Sequence, residues 1–267
     1  RYLRARRLSR FVSFISLMSL LGVAVGVAAL IVVISVMNGF ENELRQRLLS
    51  MTSHATISGP GGRLSDWGQA VESSLRAPEV KAAAPYVEIQ GMLGNGARLK
   101  AALIRGVDPA RERAVSQVDE NMLTGDLSSL EDGRQAIILG RLLAAQLGVT
   151  PGDPVTLMVP RVEGGALVPR LRRFTVTGVF EVGMQELDGI LALVSLGDAA
   201  GILDLGTAVT GVRLQLDNLF SAPAVSRRVA AMLGEDFVAR DWTEENASYF
   251  RAVRIEKTMM TIILSLV

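Results

Sequence analysis

No charged residue lies between Arg10 and Glu41, and the uncharged stretch from Phe11 to Met37 is 27 residues long. A helix needs roughly 20 apolar residues to cross the hydrocarbon core of a bilayer, so this run predicts a transmembrane helix. A secretory signal peptide has an apolar core of about 7–15 residues, and Val36-Met37-Asn38 lacks the small residues of a cleavage site. Arg1, Arg4, Arg6, Arg7 and Arg10 precede the run, whereas Glu41, Glu43, Arg45 and Arg47 follow it in balance. The asymmetry of basic residues predicts a cytoplasmic segment over 1–10, a membrane helix over 11–40 and an extracytoplasmic continuation.

At the other end, Met259 to Val267 is uncharged and apolar but too short to span, so it reads as the first half of a second membrane helix. The chain starts with Arg1 and stops inside that run, and is expected to be a fragment of a longer polypeptide. Residues 41–258 then form a loop-out large enough for one large or two small domains. With mean hydropathy +0.33 and only 5% aromatics, the apolar excess is aliphatic, as in membrane helices. Basic and acidic residues, 28 against 27, cancel, which removes the broad positive field of a nucleic-acid binder. The absence of cysteine excludes disulfides, thiolate metal sites and cysteine nucleophiles. A single histidine, His54, argues against a zinc site and reads as a polar surface residue rather than a catalytic base.

Val33, Met37, Phe40, Leu44, Leu48 and Met51 recur at helical spacing, so the first helix is expected to continue past the membrane with an apolar stripe. That stripe suits a partner helix, a lipid cavity or packing against the protein's own domain. Residues 242–257 are expected to form a second helical stalk. Between the stalks the pattern is mixed α+β. Short strands are expected at 55–58, 83–92, 99–107, 136–139, 155–159, 174–180, 190–194 and 209–216. Helices are expected at 67–75 with Asp66 as cap, at 140–147 stopped by Gly148, at 198–203 and at 222–233. Gly94-Asn95-Gly96 predicts a hairpin turn, and Asp188-Gly189 another. There is no Gly-x-Ser-x-Gly, His-Glu-x-x-His or Walker-type glycine loop, so neither hydrolytic nor ATP chemistry is expected on this chain. The acidic pairs Asp119-Glu120 and Glu244-Glu245 read as solvated surface. The segment from Pro160 to Arg173 is expected to be a loop: Arg161, Val162, Leu167 and Val168 between Pro160 and Pro169, then Arg170, Arg172 and Arg173. Its apolar and cationic content suits docking of another protein. On an extended chain Arg170 and Arg172 share one face and Arg173 takes the other.

Ser35-Val36-Met37-Asn38-Gly39-Phe40-Glu41-Asn42-Glu43-Leu44 and Arg251-Ala252-Val253-Arg254-Ile255-Glu256-Lys257-Thr258-Met259-Met260 resemble the permease subunits of the lipoprotein-releasing ABC transporter, LolC and LolE. Gly140 to Asp153 is similar to a segment shared more widely by MacB-like permeases. The resemblance implies a four-helix permease whose α+β periplasmic domain, MacB-like with two subdomains, sits between the first and second membrane helices in the bacterial inner membrane. It implies transport of triacylated lipoproteins to the periplasmic carrier LolA, with no cofactor on this chain. ATP and Mg would be held by a separate LolD-like ATPase. The other permease subunit would be a second protein or a second copy of this one, since Ala83-Ala84-Pro85-Tyr86 looks closer to LolE while the 160–169 segment lies where a LolC-type hook would be. By the same resemblance, Pro160, Arg161, Val162, Leu167, Val168, Pro169, Arg170 and Arg172 would form a hook and basic pad for the carrier. Val33, Met37, Phe40, Leu44, Leu48, Met259 and Ile263 would line the path of lipoprotein and membrane lipid. A MacB-like efflux or mechanotransmission permease is the alternative, and a two-span sensor fits the topology from another class.

Overall fold

The computed structural model describes residues 2–51, 54–163, 166–218, 221–234 and 237–245, together with 255, 258 and 259. The chain divides into two compact units, Arg1–Leu48 and Leu49–Val267.

The first unit is formed by helix α1 (Tyr2–Met51), one run of 50 residues. Within it, Val12–Met37 is 26 residues long with a mean hydropathy of 2.8, enough in length and composition to cross a membrane. Leu20, Val23, Val25 and Val33 are exposed. So continuous an apolar exterior would be unfavourable in water, at roughly 25 cal/mol per Å², and suits hydrocarbon. The helix continues to Met51, as the spacing predicts. Met37 is half-buried. Phe40, Leu44 and Leu48 lie on the helical backbone, but their side chains are outside the described residues. Of the second expected membrane helix, Met259 is helical and exposed, while Ile263 is outside the described residues.

The second unit is a mixed α+β domain on one ten-stranded sheet. In chain order its elements are β1 (Ala55–Ser58), α2 (Trp67–Leu75), β2 (Val80–Asn95), β3 (Arg98–Val107), α3 (Pro109–Val115), β4 (Met122–Thr124), β5 (Ala136–Gly140), α4 (Arg141–Leu147), β6 (Pro154–Glu163), β7 (Ala166–Phe180), α5 (Gln185–Asp188), β8 (Leu191–Ser195), α6 (Leu196–Ile202), β9 (Gly211–Leu216), α7 (Ala222–Leu233), β10 (Val238–Asp241) and α8 (Trp242–Glu245). The strand order is β10-β1-β9-β2-β3-β8-β5-β7-β4, with β6 off this path and paired to β2 and β7. Only β3–β8 and β5–β7 run parallel. The strands β5 and β8 are buried throughout, which explains their unbroken apolar sequence.

Alternation along those two strands builds two cores. Ile137, Leu139, Ala192 and Val194 join the larger cluster, while Ile138, Leu191 and Leu193 join a smaller one with Leu127, Leu130 and Phe180. Two apolar clusters thus stand where two subdomains are expected, and one sheet runs through both.

Several local expectations need correction. The β2–β3 hairpin closes on Asn95 opposite Arg98, so its turn is Gly96-Ala97, one residue later than the Asn-Gly pattern suggests, with Gly96 at φ +60. Asp66 occupies the N-cap position of α2 but makes no side-chain cap bond. Asp188-Gly189 is not an open turn: it ends α5, and the buried Asp188 carboxylate accepts the Val182 and Gly183 N–H groups at 2.9 and 3.0 Å. His54 is buried, not on the surface. Helix α3 had no periodic signal, yet Pro109 at its first turn and Asp108, which accepts the Ala110 N–H at 3.0 Å, start it.

Helix α3 brings a buried acid to the sheet. Glu112 ion-pairs with Arg213 of β9, and their side chains are 1% and 2% exposed. Burial pushes the Glu112 carboxyl upward, but Arg213 overrides it and the net shift is down. Arg105 on β3 lies beside them and contacts Glu88 at 3.5 Å.

Candidate functional site: a protruding hairpin

The segment expected as a loop from Pro160 to Arg173 is a β-hairpin. Its register runs unbroken from Pro154 opposite Thr175 to Glu163 opposite Ala166, leaving Gly164 and Gly165, which are outside the described residues, between them. Two prolines made the stretch look unlike strand, and the register explains why they are tolerated. Pro160 faces Pro169. The Thr175 N–H donates to Gln135 (2.9 Å) and the Val176 N–H to Asp153 (2.9 Å), so odd residues of β7 point their amides away from β6. Pro169 is odd, and its missing donor costs the hairpin nothing.

The same alternation explains why the hairpin leaves the sheet. Strand β6 pairs with β2 through Thr156 to Met158 only. The next amide aimed at β2 would belong to Pro160, which has none, so the ladder stops and the two strands continue as an arm. Close approach at the departure point depends on Gly91, where a Cβ would meet the Met158 carbonyl at 2.8 Å.

One face of the arm holds the buried Val155, Leu157, Val159 and Phe174. Arg161 and Arg170 belong to this face by alternation, and both ion-pair with Asp204, just beyond α6. Arg170 donates to the two Asp204 oxygens at 2.9 and 3.0 Å and to the Ile202 carbonyl at 2.6 Å, so it also closes the C-terminal end of α6. These two arginines therefore hold the arm to the domain. Asp204 had no sequence signal connecting it to cations 34 and 43 residues away. Its backbone is left-handed, at φ 54.

Hydrogen bonding from Arg170, then from Arg161, lowers the Asp204 pKa to about 2. Because the folded value lies below the unfolded one, the contribution of this anchor is complete above about pH 4. It is lost as the pH falls through about 2. Amide exchange across Val159–Glu163 should therefore accelerate on acidification from pH 4 to pH 2. Asp204→Asn should show that loosened arm already at neutral pH. Equal protection in both proteins at pH 7 would deny the anchor any role.

The opposite face carries Met158, Pro160, Pro169 and Leu171. It borders an open apolar groove of about 780 Å³ whose walls include Gln90, Met92, Leu103, Met158, Pro160 and Pro169. Val168 and Leu171 are exposed. Val162 stands opposite Leu167 in the register, and their side chains are outside the described residues. As alternation predicts, Arg170 and Arg172 lie on one face, opposite Val159 and Leu157, and Arg173 on the other. Arg172 and Arg173 are both exposed, and among the described residues neither has an ion-pair partner. The structure thus separates the four arginines into two that anchor and two that remain available. Among the described residues no group of acidic or histidine side chains is arranged to hold a metal ion.

A membrane-length helix and a separate mixed-sheet unit with a projecting arm are the features of a membrane protein with an extramembrane domain. The chain belongs to the MacB-like periplasmic core domain family, whose profile matches residues 16–232. Over its whole length it is similar to proteins named lipoprotein-releasing system transmembrane protein LolC, 42% identical in Xylella fastidiosa and 41% in Neisseria meningitidis. It is also 30% identical to the protein named LolE of Haemophilus influenzae. The chain spans 65% of the length of these relatives. The periplasmic region of MacB from Actinobacillus actinomycetemcomitans is similar with a TM-score of 0.48 and 12% identity, over 76% of this chain and 94% of that one.

Proposed function

We propose that this chain is a permease subunit of an ATP-driven transporter that releases lipoproteins from the bacterial inner membrane and passes them to a periplasmic carrier. The observation that carries the reading is the full-length similarity, at 42% identity, to a protein named for lipoprotein release. In this reading 1–10 is cytoplasmic, 11–40 crosses the inner membrane, 41–258 is periplasmic and 259–267 begins the return helix. The five arginines ahead of the helix support that orientation. ATP is hydrolysed by a separate cytoplasmic subunit, and the second permease position is filled by a partner or by a second copy.

The physical task is to keep acyl chains out of water. Each methylene withdrawn from lipid costs about 0.8 kcal/mol, so three chains exposed together would cost on the order of tens of kcal/mol. The cargo therefore needs a continuous apolar path. The stripe of Val33, Met37, Phe40, Leu44 and Leu48, with Met259 and Ile263 of the return helix, is the proposed beginning of that path. The arm is its end: the residues between Pro160 and Pro169 dock the carrier, with Arg172 and Arg173 offering cations to an acidic rim. Phe40→Asp or Leu44→Asp should reduce the lipoprotein that co-purifies with the full-length transporter, with membrane insertion unchanged. Undiminished co-purification in both variants would assign the stripe to helix packing alone.

A further inference from the structure

His54 is the chain's single histidine, and it joins three segments of the second unit. Its N–H donates to the Leu214 carbonyl at 3.0 Å, and its own carbonyl accepts the Trp242 N–H at 3.2 Å. These bonds extend the pairing of β1 with β9 on one side and reach the first residue of α8 on the other. The ring makes a third connection, because its Nδ1 accepts the Leu216 N–H at 3.0 Å. Nδ1 can accept only when it carries no proton, so the bond requires a neutral imidazole with its hydrogen on Nε2. The residue lies three positions beyond the end of α1, where the chain enters the sheet.

We propose that His54 is an acid-released latch: neutral, its ring closes the corner formed by β1, the end of β9 and the start of α8, and protonated, it opens that corner. A proton on Nδ1 would set two N–H groups against each other inside a residue only 7% exposed, leaving the Leu216 amide without its acceptor. The charged groups on the surrounding elements do not rescue the cation. Arg213 of β9 is paired with Glu112, and Asp241 of β10 accepts the Glu244 N–H of α8 at 3.4 Å. Arg240 stands opposite Thr56 in the register. Lys81 of β2, 2.9 Å from Asp217, is the charge felt at the ring, and it opposes protonation. Burial pushes the His54 pKa down from its ordinary value, and Lys81 acts in the same direction. With the folded value below the unfolded one, the latch is fully effective above about pH 6.5 and is released as the pH falls through the folded value.

Because there is one histidine, isotope labelling of histidine in the full chain in detergent gives one ring to follow by NMR. The ring should hold the Nε2–H tautomer at pH 7.5 and titrate below the ordinary value. Amide-exchange protection at Leu216 and Trp242 should fall by up to about tenfold per pH unit below that titration, the limit set by one linked proton. His54→Asn keeps an acceptor but cannot take up a proton, and protection at Leu216 should then be flat from pH 8 to pH 5. A ring in native protein that titrates at or above its ordinary value overturns the proposal, and that measurement stands even if the asparagine variant misfolds. The same acid-dependent loss at Leu216 in a folded His54→Asn chain overturns it as well.

Discussion

Glu112→Ala should destabilise the second unit by about 3–5 kcal/mol, the range for removing one partner of a buried ion pair. The size follows from what remains behind. Arg213 is 2% exposed, and without Glu112 its charge has no buried carboxylate within reach on α3. For a unit of this size each kcal/mol corresponds to roughly 2–4 °C in Tm, so thermal unfolding of the chain in detergent should shift by on the order of 10 °C. Replacing both partners with apolar residues, Glu112→Leu with Arg213→Met, should recover most of the loss, because the desolvation of two charges disappears with their attraction. Since the Glu112 pKa is lowered on folding, its contribution is present above its unfolded value near pH 4 and fades on acidification. A single alanine variant with an unchanged Tm would show that the pair does not fasten α3 to the sheet.

That pair also shows what the sequence could not reveal. Elements with a strong period or a stop signal were legible: α1 from its uncharged run, α4 from the Gly148 stop, and β5 and β8 from their apolar sequence. Helix α3 was not, because Pro-Ala-Arg-Glu-Arg-Ala-Val has too few apolar positions to set a period and is held instead by Glu112 reaching β9, 101 residues away. The candidate site was legible in position but not in shape. Pro160 and Pro169 read as loop residues because a proline usually ends a strand, and only the register reveals that each missing amide points out of the hairpin. The division of labour among the arginines was hidden for the same reason. Nothing local distinguishes Arg161 and Arg170, held by Asp204, from Arg172 and Arg173. The burial of His54 likewise depends on β9 and α8, which close around it from far along the chain.

The second large effect concerns the arm. The proposed docking residues sit on a two-stranded scaffold whose register and two prolines restrict the backbone before any partner arrives, so little entropy remains to be lost on binding. Val162 and Leu167, opposite each other near the tip, are the proposed apolar anchors, and truncating both to alanine should weaken carrier binding by about 2 kcal/mol or more if they act as hot spots. Reversing Arg172 and Arg173 together to glutamate should weaken it further and reverse its salt dependence, while leaving the Asp204 anchor in place. Deleting Glu163 to Val168 removes the tip and leaves the rest of the sheet, so its effect isolates the arm. The decisive measurement is binding of the periplasmic lipoprotein carrier to the full-length permease with and without that deletion, with circular dichroism to verify the fold. Loss of detectable binding by a folded deletion variant is the predicted result, and carrier binding that persists at its original strength would contradict the assignment of the arm as the docking site.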